Sequence, residues 1–202
     1  MAVPGNGNAV RAERSIAERG RDWTIAPQRI SSGAMYYQTV CQMKKQLGQL
    51  DKWLEAAAAF ATKKSFEVDR FLEFRLAPDQ FALARQVQTT CDTAKLVAAR
   101  LAGKEAPPHA DTEKTVEELR ARVRTVIAYL DGFTAKDFDG AAARVITQPR
   151  WEGKVMTGAD YFLEHGVPNF FFHLTHSFAI LRHNGVDIGK RDYLGALSQR
   201  AP

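Results

Sequence analysis

The 202-residue sequence lacks any apolar run near the roughly 18 residues that a helix needs to cross a bilayer, which excludes an integral membrane protein. It has only two cysteines, Cys41 and Cys91, in separate helical segments and without the spacing of metal ligands. That scarcity excludes a disulfide scaffold and indicates free thiols in a reducing compartment. The N-terminus has no apolar signal core, so we expect a cytoplasmic protein.

A concentrated positive charge is also missing. The formal net charge is +5, from 28 basic and 23 acidic residues, and the basic residues are scattered along the chain. The densest run, Arg120, Arg122 and Arg124, lies beside Glu117 and Glu118, and we interpret it as a solvated helix face. Because nucleic-acid binding requires a clustered basic stripe, we expect no nucleic-acid partner.

The short motifs of several large enzyme classes are absent as well. There is no glycine-rich phosphate loop, no dinucleotide-binding fingerprint and no serine in a nucleophile elbow. What is present is an ordinary globular composition, with 45% hydrophobic and 25% charged residues. Residues 1–34 hold glycine and proline among polar residues, and we expect a flexible tail there. The helical domain then covers residues 35–202, with Met35 as an alternative start of the chain.

The apolar periodicity predicts two long helices in the first half of the domain. The first covers residues 36–61, where leucines and other apolar residues recur at spacings of three and four. The second begins at Pro78, a residue favoured in a first helical turn, and ends at Gly103.

A third helix follows the Pro107-Pro108 loop and ends at Gly132. Its cap is either Asp111 or Thr112, or else Thr115, which forms a capping-box pattern with Glu118.

Two short β-like runs, residues 145–147 and 154–156, then predict a small hairpin. A fourth helix extends from residue 159 or 160 to Asn184-Gly185, with Pro168 expected to kink or divide it. We therefore predict an all-α fold, a four-helix bundle with a small β-hairpin before the last long helix.

Histidines on the last helix are the main sign of chemistry. His165, His173, His176 and His183 lie with Asn169 within an arc of about 80° at the helical step of 100° per residue. Histidines on one helical face bind a metal when a neighbouring helix adds a ligand. The alternative is that they are partly buried, hydrogen-bonded histidines that line the bundle.

The second helix carries a polar face of its own. Arg85, Gln88 and Asp92 share this face with Phe81 and Lys95, opposite the apolar arc. The simple interpretation is exposure to solvent. The functional alternative is the wall of a polar pocket, in which Asp92 orients Arg85 or a ligand.

Several motifs together resemble a bacterial family known only as a domain of unknown function and related to the DinB/YfiT-like metalloenzyme superfamily. The resemblance covers about residues 35–197. It is carried by the segments 75–79, 83–88, 91–95, 168–173, 180–186 and 189–195.

The resemblance implies a four-helix bundle that is often a homodimer. It also implies a divalent metal, nickel or zinc, held by one histidine of the second helix and two histidines four apart on the last. Here the pair on the last helix corresponds to Asn169 and His173, and the second helix has no histidine. Its polar candidates near that position are Gln86, Gln88 and Asp92, so the metal triad is degraded.

Three functional hypotheses remain open. In the first, a pocket between helices binds an unidentified small molecule through Arg85, Gln88, Asp92, Asn169 and His173. In the second, a divalent-metal-dependent transferase or hydrolase recruits His173, His165 or His176, with Asp92. In the third, a phenylalanine-rich last helix forms a non-catalytic homodimeric interaction module. No cofactor is certain from the sequence.

Overall fold

The polypeptide folds around a long first helix. A computed structural model describes residues 32–200, and α1 (Ser32–Lys64) begins at the first of them. Residues 1–31 of the predicted tail lie outside the described residues, and residues 32–34 belong to α1.

The remaining elements follow the predicted order. They are a 3₁₀ turn (Val68–Glu73), α2 (Leu83–Ala102), α3 (Val116–Asp131), 3₁₀ turns (Ala135–Phe138 and Ala141–Ala143), β1 (Val145–Ile146), a 3₁₀ turn (Pro149–Trp151), β2 (Met156–Thr157), α4 (Gly158–Asp160), a π-helical segment (Tyr161–Gly166), α5 (Val167–His183) and α6 (Lys190–Leu194). β1 and β2 pair antiparallel, with Val145 opposite Thr157. The predicted helical bundle with a hairpin before the last long helix is confirmed.

The four long helices form a ring around one core. α1 and α2 each pack against both α3 and α5, which settles the neighbour relations that periodicity left open. The largest fully buried side chains include Trp53, Leu83, Leu119 and Phe170, one from each long helix. Among residues 32–200, no helix has the length and apolar character needed to span a bilayer.

The start of α2 differs from the prediction. The helix begins at Leu83 instead of Pro78, and Ala82 is its extended N-cap. Residues 77–80 form a turn in which Gln80 N–H donates to the Ala77 carbonyl at 3.1 Å. The Leu83 N–H donates back to the Phe74 carbonyl at 2.9 Å, so the preceding 3₁₀ turn satisfies the first helical donor.

The start of α3 is fixed by the second of the two predicted caps. The Thr115 side chain accepts from Glu118 N–H, and the Glu118 carboxylate accepts from Thr115 N–H at 3.1 Å. This reciprocal pair is the capping box that the sequence predicts, and it leaves Asp111 free to make other contacts.

The last long helix contains the irregularity expected near Pro168. Residues 161–166 are π-helical, and Val167 N–H donates to the Phe162 carbonyl, five residues back. Proline has no N–H, so the helix cannot keep its regular bonds across this position. Gly166 lies against α2, where a Cβ would come 2.8 Å from Val97 Cγ2, and this close approach holds the π segment beside α2.

Candidate binding cleft

A cleft of about 330 Å³ lies between α2, the π segment with the start of α5, and the hairpin turn. Most of its lining residues are polar, and Leu96 and Pro149 are the apolar ones. The polar lining residues are Arg85, Thr89, Asp92, Thr93, Arg100, Gln148, Arg150, Tyr161, His165 and Asn169. A shallower depression adjoins the cleft and shares His165 and Asn169 with it.

The predicted ligand residues divide between these two sites and the interior. Arg85, Asp92 and Asn169 line the cleft, and His173 lines the adjoining depression. Gln88 faces inward and donates from Nε2 to the Glu113 carboxylate at 2.9 Å. The structure therefore brings three of the five predicted residues together.

The polar face of α2 is not simply exposed to solvent. Gln88 and Lys95 are both buried, and only Arg85 and Phe81 are exposed. Lys95 Nζ lies 2.8 Å from an Asp92 oxygen. The solvent interpretation fails because α3 and the loop before it cover this face with oppositely charged groups.

Arg122 is the centre of that cover. The interpretation of Arg122 as part of a solvated face is wrong, because its side chain is only 2% exposed. Its guanidinium lies 2.9 Å from Asp92, 2.7 Å from Asp111 and 2.8 Å from Glu113. Three carboxylates compensate the buried charge, which helical periodicity alone does not reveal.

The ion cluster shifts the titration of its own members. Burial alone would raise the pKa of Asp111 and Glu113, but hydrogen bonds from Arg122 to both, with a further one from Arg85 to Asp111, outweigh it and lower the pKa of each. His109 lies 3.4 Å from Asp92, and burial together with Lys95 lowers the pKa of its imidazole. Asp111 and Glu113 thus stay ionised at neutral pH.

Sequence reasoning missed the residues at the other end of the cleft. Arg100 Nη1 donates to Gln148 Oε1 at 3.2 Å and to the Tyr161 hydroxyl at 3.1 Å. Arg150 Nη2 donates to His165 Nε2 at 2.5 Å. Arg100 shares the α2 stripe of Asp92 and Leu96 at steps of four, which is the one signal that could have pointed to it.

The side chain of His173 forms its hydrogen bond with Gln86 of α2 and not with another histidine. The Gln86 Nε2 donates to the Phe81 carbonyl at 3.2 Å, so the Oε1 accepts from His173 Nδ1 at 2.7 Å. The imidazole is 7% exposed and stacks with Phe81 at 6.2 Å. Burial, followed by His176 and Arg85, lowers the pKa of His173 to about 4, so its ring is neutral at pH 7.

The three predicted metal ligands have separate partners. His165 contacts Arg150, His173 contacts Gln86, and His176 Nδ1 donates to the Phe172 carbonyl at 2.6 Å. Within residues 32–200, no three histidine, cysteine, aspartate or glutamate side chains form a group that could hold a metal ion. His165, His173 and His176 therefore do not come together as one group within the described part of the chain.

These features define a helical bundle with a polar interhelical cleft, and comparison with known proteins agrees on the helical fold. The model of the family described as a domain of unknown function, DUF1993, matches residues 35–194, and the chain belongs to this family.

A solved structure gives the same fold. It is described as a DinB family member protein from Shewanella denitrificans and is 50% identical in sequence. The match covers 84% of this chain and 97% of that one, with a TM-score of 0.80. No curated protein matches this chain. The resemblance seen in the sequence is confirmed.

Proposed function

We propose that the protein binds a small molecule in the cleft between α2 and α5, without a metal. The observation that carries this proposal is a pair of buried polar atoms in the cleft lining. Gln148 Nε2 and His165 Nδ1 are out of contact with solvent and have no hydrogen-bond partner among the described residues. Gln148 as a whole is only 8% exposed.

Unsatisfied buried polar atoms are costly, which makes their position informative. Each one costs about 1–3 kcal/mol, and folded proteins contain few of them. Two of the six such atoms among the described residues belong to side chains that line a single cleft, which favours a bound molecule that completes both hydrogen bonds. The cleft also has the size and the mix of polar and apolar lining that small-molecule sites need.

The donor set argues against a divalent metal at the position that the superfamily uses. Asn169 Nδ2 donates to Thr93 Oγ1 at 2.7 Å, and His173 donates to Gln86. Two amides, a hydroxyl and one imidazole are a poor set for nickel or zinc, which prefer imidazole, thiolate and carboxylate. Asp92, the remaining candidate, is engaged by Lys95 and Arg122. The metal-dependent transferase or hydrolase is therefore the weaker alternative.

A homodimeric interaction module is the second candidate. Leu163 and Phe172, both on the last long helix, are 66% and 53% exposed. Large apolar side chains exposed on one element favour contact with another protein. The two proposals are compatible, since neither Leu163 nor Phe172 lines the cleft. The free thiols of Cys41 and Cys91 support a reducing, cytoplasmic setting.

The binding proposal is tested by filling the cleft. We expect Thr89→Trp to abolish the binding of small molecules found in a thermal-shift screen of neutral, anionic and cationic metabolites, because Thr89 lines the cleft and is only partly buried.

Thr125→Trp is the matched control. Thr125 lies on the exposed surface of α3, and its hydroxyl donates to the carbonyl four residues back, as the Thr89 hydroxyl does. Ligands that bind the wild type and the Thr125→Trp variant but not the Thr89→Trp variant support the proposal. No ligand in the screen, or ligands indifferent to Thr89→Trp, would overturn it.

A further inference from the structure

The hydrogen-bond roles at the Arg100 end of the cleft are fixed by the arginines. An arginine side chain has five donors and no acceptor. The side-chain amide of Gln148 has an oxygen, which accepts, and a nitrogen, which donates. Because Arg100 can only donate, the Gln148 atom that it contacts is the carbonyl oxygen. The unpartnered atom of Gln148 is therefore its amide nitrogen, which is a donor.

The same reasoning sets the tautomer of His165. Arg150 donates to Nε2, so Nε2 is the unprotonated nitrogen of the ring. Burial, then Arg150 and Arg100, lowers the pKa of His165 and keeps the ring neutral. The proton consequently resides on Nδ1, the atom without a partner, and this atom is also a donor.

A third donor lies beside these two. The Tyr161 hydroxyl accepts from Arg100 at 3.1 Å, and its own proton has no acceptor in the part of the chain that the structure describes. His165 stacks on the Tyr161 ring, with centroids 5.4 Å apart, so the rings that carry these two donors are neighbours. Each of these three groups is thus a donor that requires a hydrogen-bond acceptor.

The two arginines at this end of the cleft also require a hydrogen-bond acceptor, and one that carries negative charge. Neither Arg100 nor Arg150 forms an ion pair with any acid among residues 32–200, and their contacts are with Gln148, Tyr161 and His165. Asp92 is the acid of the cleft lining, and its charge is balanced by Lys95 and Arg122. Two uncompensated guanidinium groups therefore face the cleft.

We propose that the ligand is a small organic anion whose carboxylate or phosphate lies between Arg100 and Arg150 and accepts from Gln148 and His165. This inference rests on the proposed binding in the cleft and names the chemical class that binds. Carboxylates and phosphates are acceptor-only groups, and arginine pairs with both in short, charge-assisted hydrogen bonds. The apolar part of the ligand would contact Leu96 and Pro149, which line the same cleft.

Binding of three matched probes tests the charge of the ligand. Phenylacetate, phenyl phosphate and the neutral phenylacetamide share an aromatic body and differ in the head group. We expect at least one anion to bind about tenfold or more tightly than the amide, as measured by ligand-observed NMR titration. The difference between phenylacetate and phenyl phosphate identifies which head group fits.

Two variants locate the head group. Arg150→Gln should remove the preference for the anion, while Arg124→Gln, which removes another exposed charge, on α3, should leave it unchanged. Gln148→Glu places a carboxylate beside Arg100 and should abolish binding of the anion while the melting temperature holds or rises. Nitrogen-15 shifts of His165 should show Nδ1 protonated in the free protein, with that proton moving downfield as the anion binds.

The outcomes separate this inference from the proposed function. If phenylacetamide binds as tightly as the anions, or if Arg150→Gln leaves the preference unchanged, the anion inference is wrong although binding in the cleft stands. The anion inference is also wrong if the metabolite screen finds only neutral or cationic ligands that depend on Thr89. If neither the probes nor the screen give binding sensitive to Thr89→Trp, the anion inference and the proposed binding in the cleft are both wrong.

Discussion

Single residues decide how charge is distributed across α2. Asp92 stands between two environments, since it lines the cleft and also contacts Lys95 and Arg122. Arg122 compensates three carboxylates from a position with almost no access to solvent. Lys95 and Arg122 compensate the charge of Asp92, the acid of the cleft lining. The end of the cleft at Arg100 and Arg150 can therefore remain positively charged.

Removal of Arg122 should be strongly destabilising. Arg122→Leu leaves Asp92, Asp111 and Glu113 close together without their shared cation, and breaking a buried pair on one side costs about 3–5 kcal/mol. Arg124→Leu, two positions along the same helix and half exposed, should cost less than about 1 kcal/mol. Urea denaturation of the two variants measures the difference. Equal losses of stability would show that Arg122 does not stabilise the cluster more than Arg124 stabilises its own surface contacts.

His173 should make stability depend on pH. Its pKa of about 4 in the folded state lies below the usual 6.5, because burial penalises the charged ring. The unfolded chain therefore binds more protons between pH 6.5 and 4, and the free energy of unfolding falls as pH falls through that range. The full contribution is about 3 kcal/mol.

The variant His173→Gln isolates this contribution. It removes the titrating group and keeps a polar side chain beside Gln86, while Asp111 and Glu113 titrate in both proteins. We expect the wild type to lose stability more steeply than the variant between pH 6.5 and 4.5 in denaturation curves. Parallel curves would mean that His173 ionises freely in the folded protein.

At the scale of elements, two glycines on the last long helix fix the shape of the cleft. Gly158 begins α4, where a Cβ would lie 1.8 Å from the Ala141 carbonyl oxygen, and Gly166 ends the π segment against Val97. These close approaches hold the π segment beside α2. His165 and Tyr161 face the cleft because they belong to this segment.

Gly158→Ala should therefore destabilise the fold. The added methyl group meets a backbone oxygen that no rotamer change can move, and overpacking of this kind costs about 1–3 kcal/mol. Gly48→Ala in α1 is the control, since a Cβ there meets nothing within 4 Å. That change should stabilise the protein by about 0.5–1 kcal/mol. Thermal denaturation checks both signs, and a neutral Gly158→Ala would show that α4 is free to shift.

The capping box of Thr115 and Glu118, the end of α5 at Asn184-Gly185 and the hairpin are all encoded within a few residues, and the sequence predicts them. The start of α2 depends on a bond from Leu83 to Phe74, so Pro78 alone gave a position five residues too early.

The candidate cleft was predictable only in part. Periodicity placed Arg85, Asp92 and Asn169 on suitable faces, since a helical face is a local property. It could not bring Arg100 next to Gln148, 48 positions along the chain, because that contact depends on how the hairpin packs on α2. The burial of Arg122 escaped prediction for the same reason, as its acids come from other segments.

For the whole molecule, the exposed apolar side chains of the last long helix predict self-association. If Phe172 lies in a dimer interface, Phe172→Glu should shift the protein to the monomer in sedimentation equilibrium. Val155→Glu is the control, since Val155 is similarly exposed, at 58%, on the hairpin. A wild-type protein that is monomeric at all concentrations measured would contradict the homodimer.

Binding of an organic anion in the cleft without a metal can be tested by a single titration. Phenylacetate is added to nitrogen-15-labelled protein in excess EDTA, and backbone amide shifts are followed by NMR. We predict saturable shifts confined to the hairpin turn at residues 148–151, the π segment and the face of α2 that includes Arg100. Saturable shifts elsewhere, no shifts with either phenylacetate or phenyl phosphate in a parallel titration, or shifts that appear only after nickel or zinc replaces the EDTA would contradict the claim.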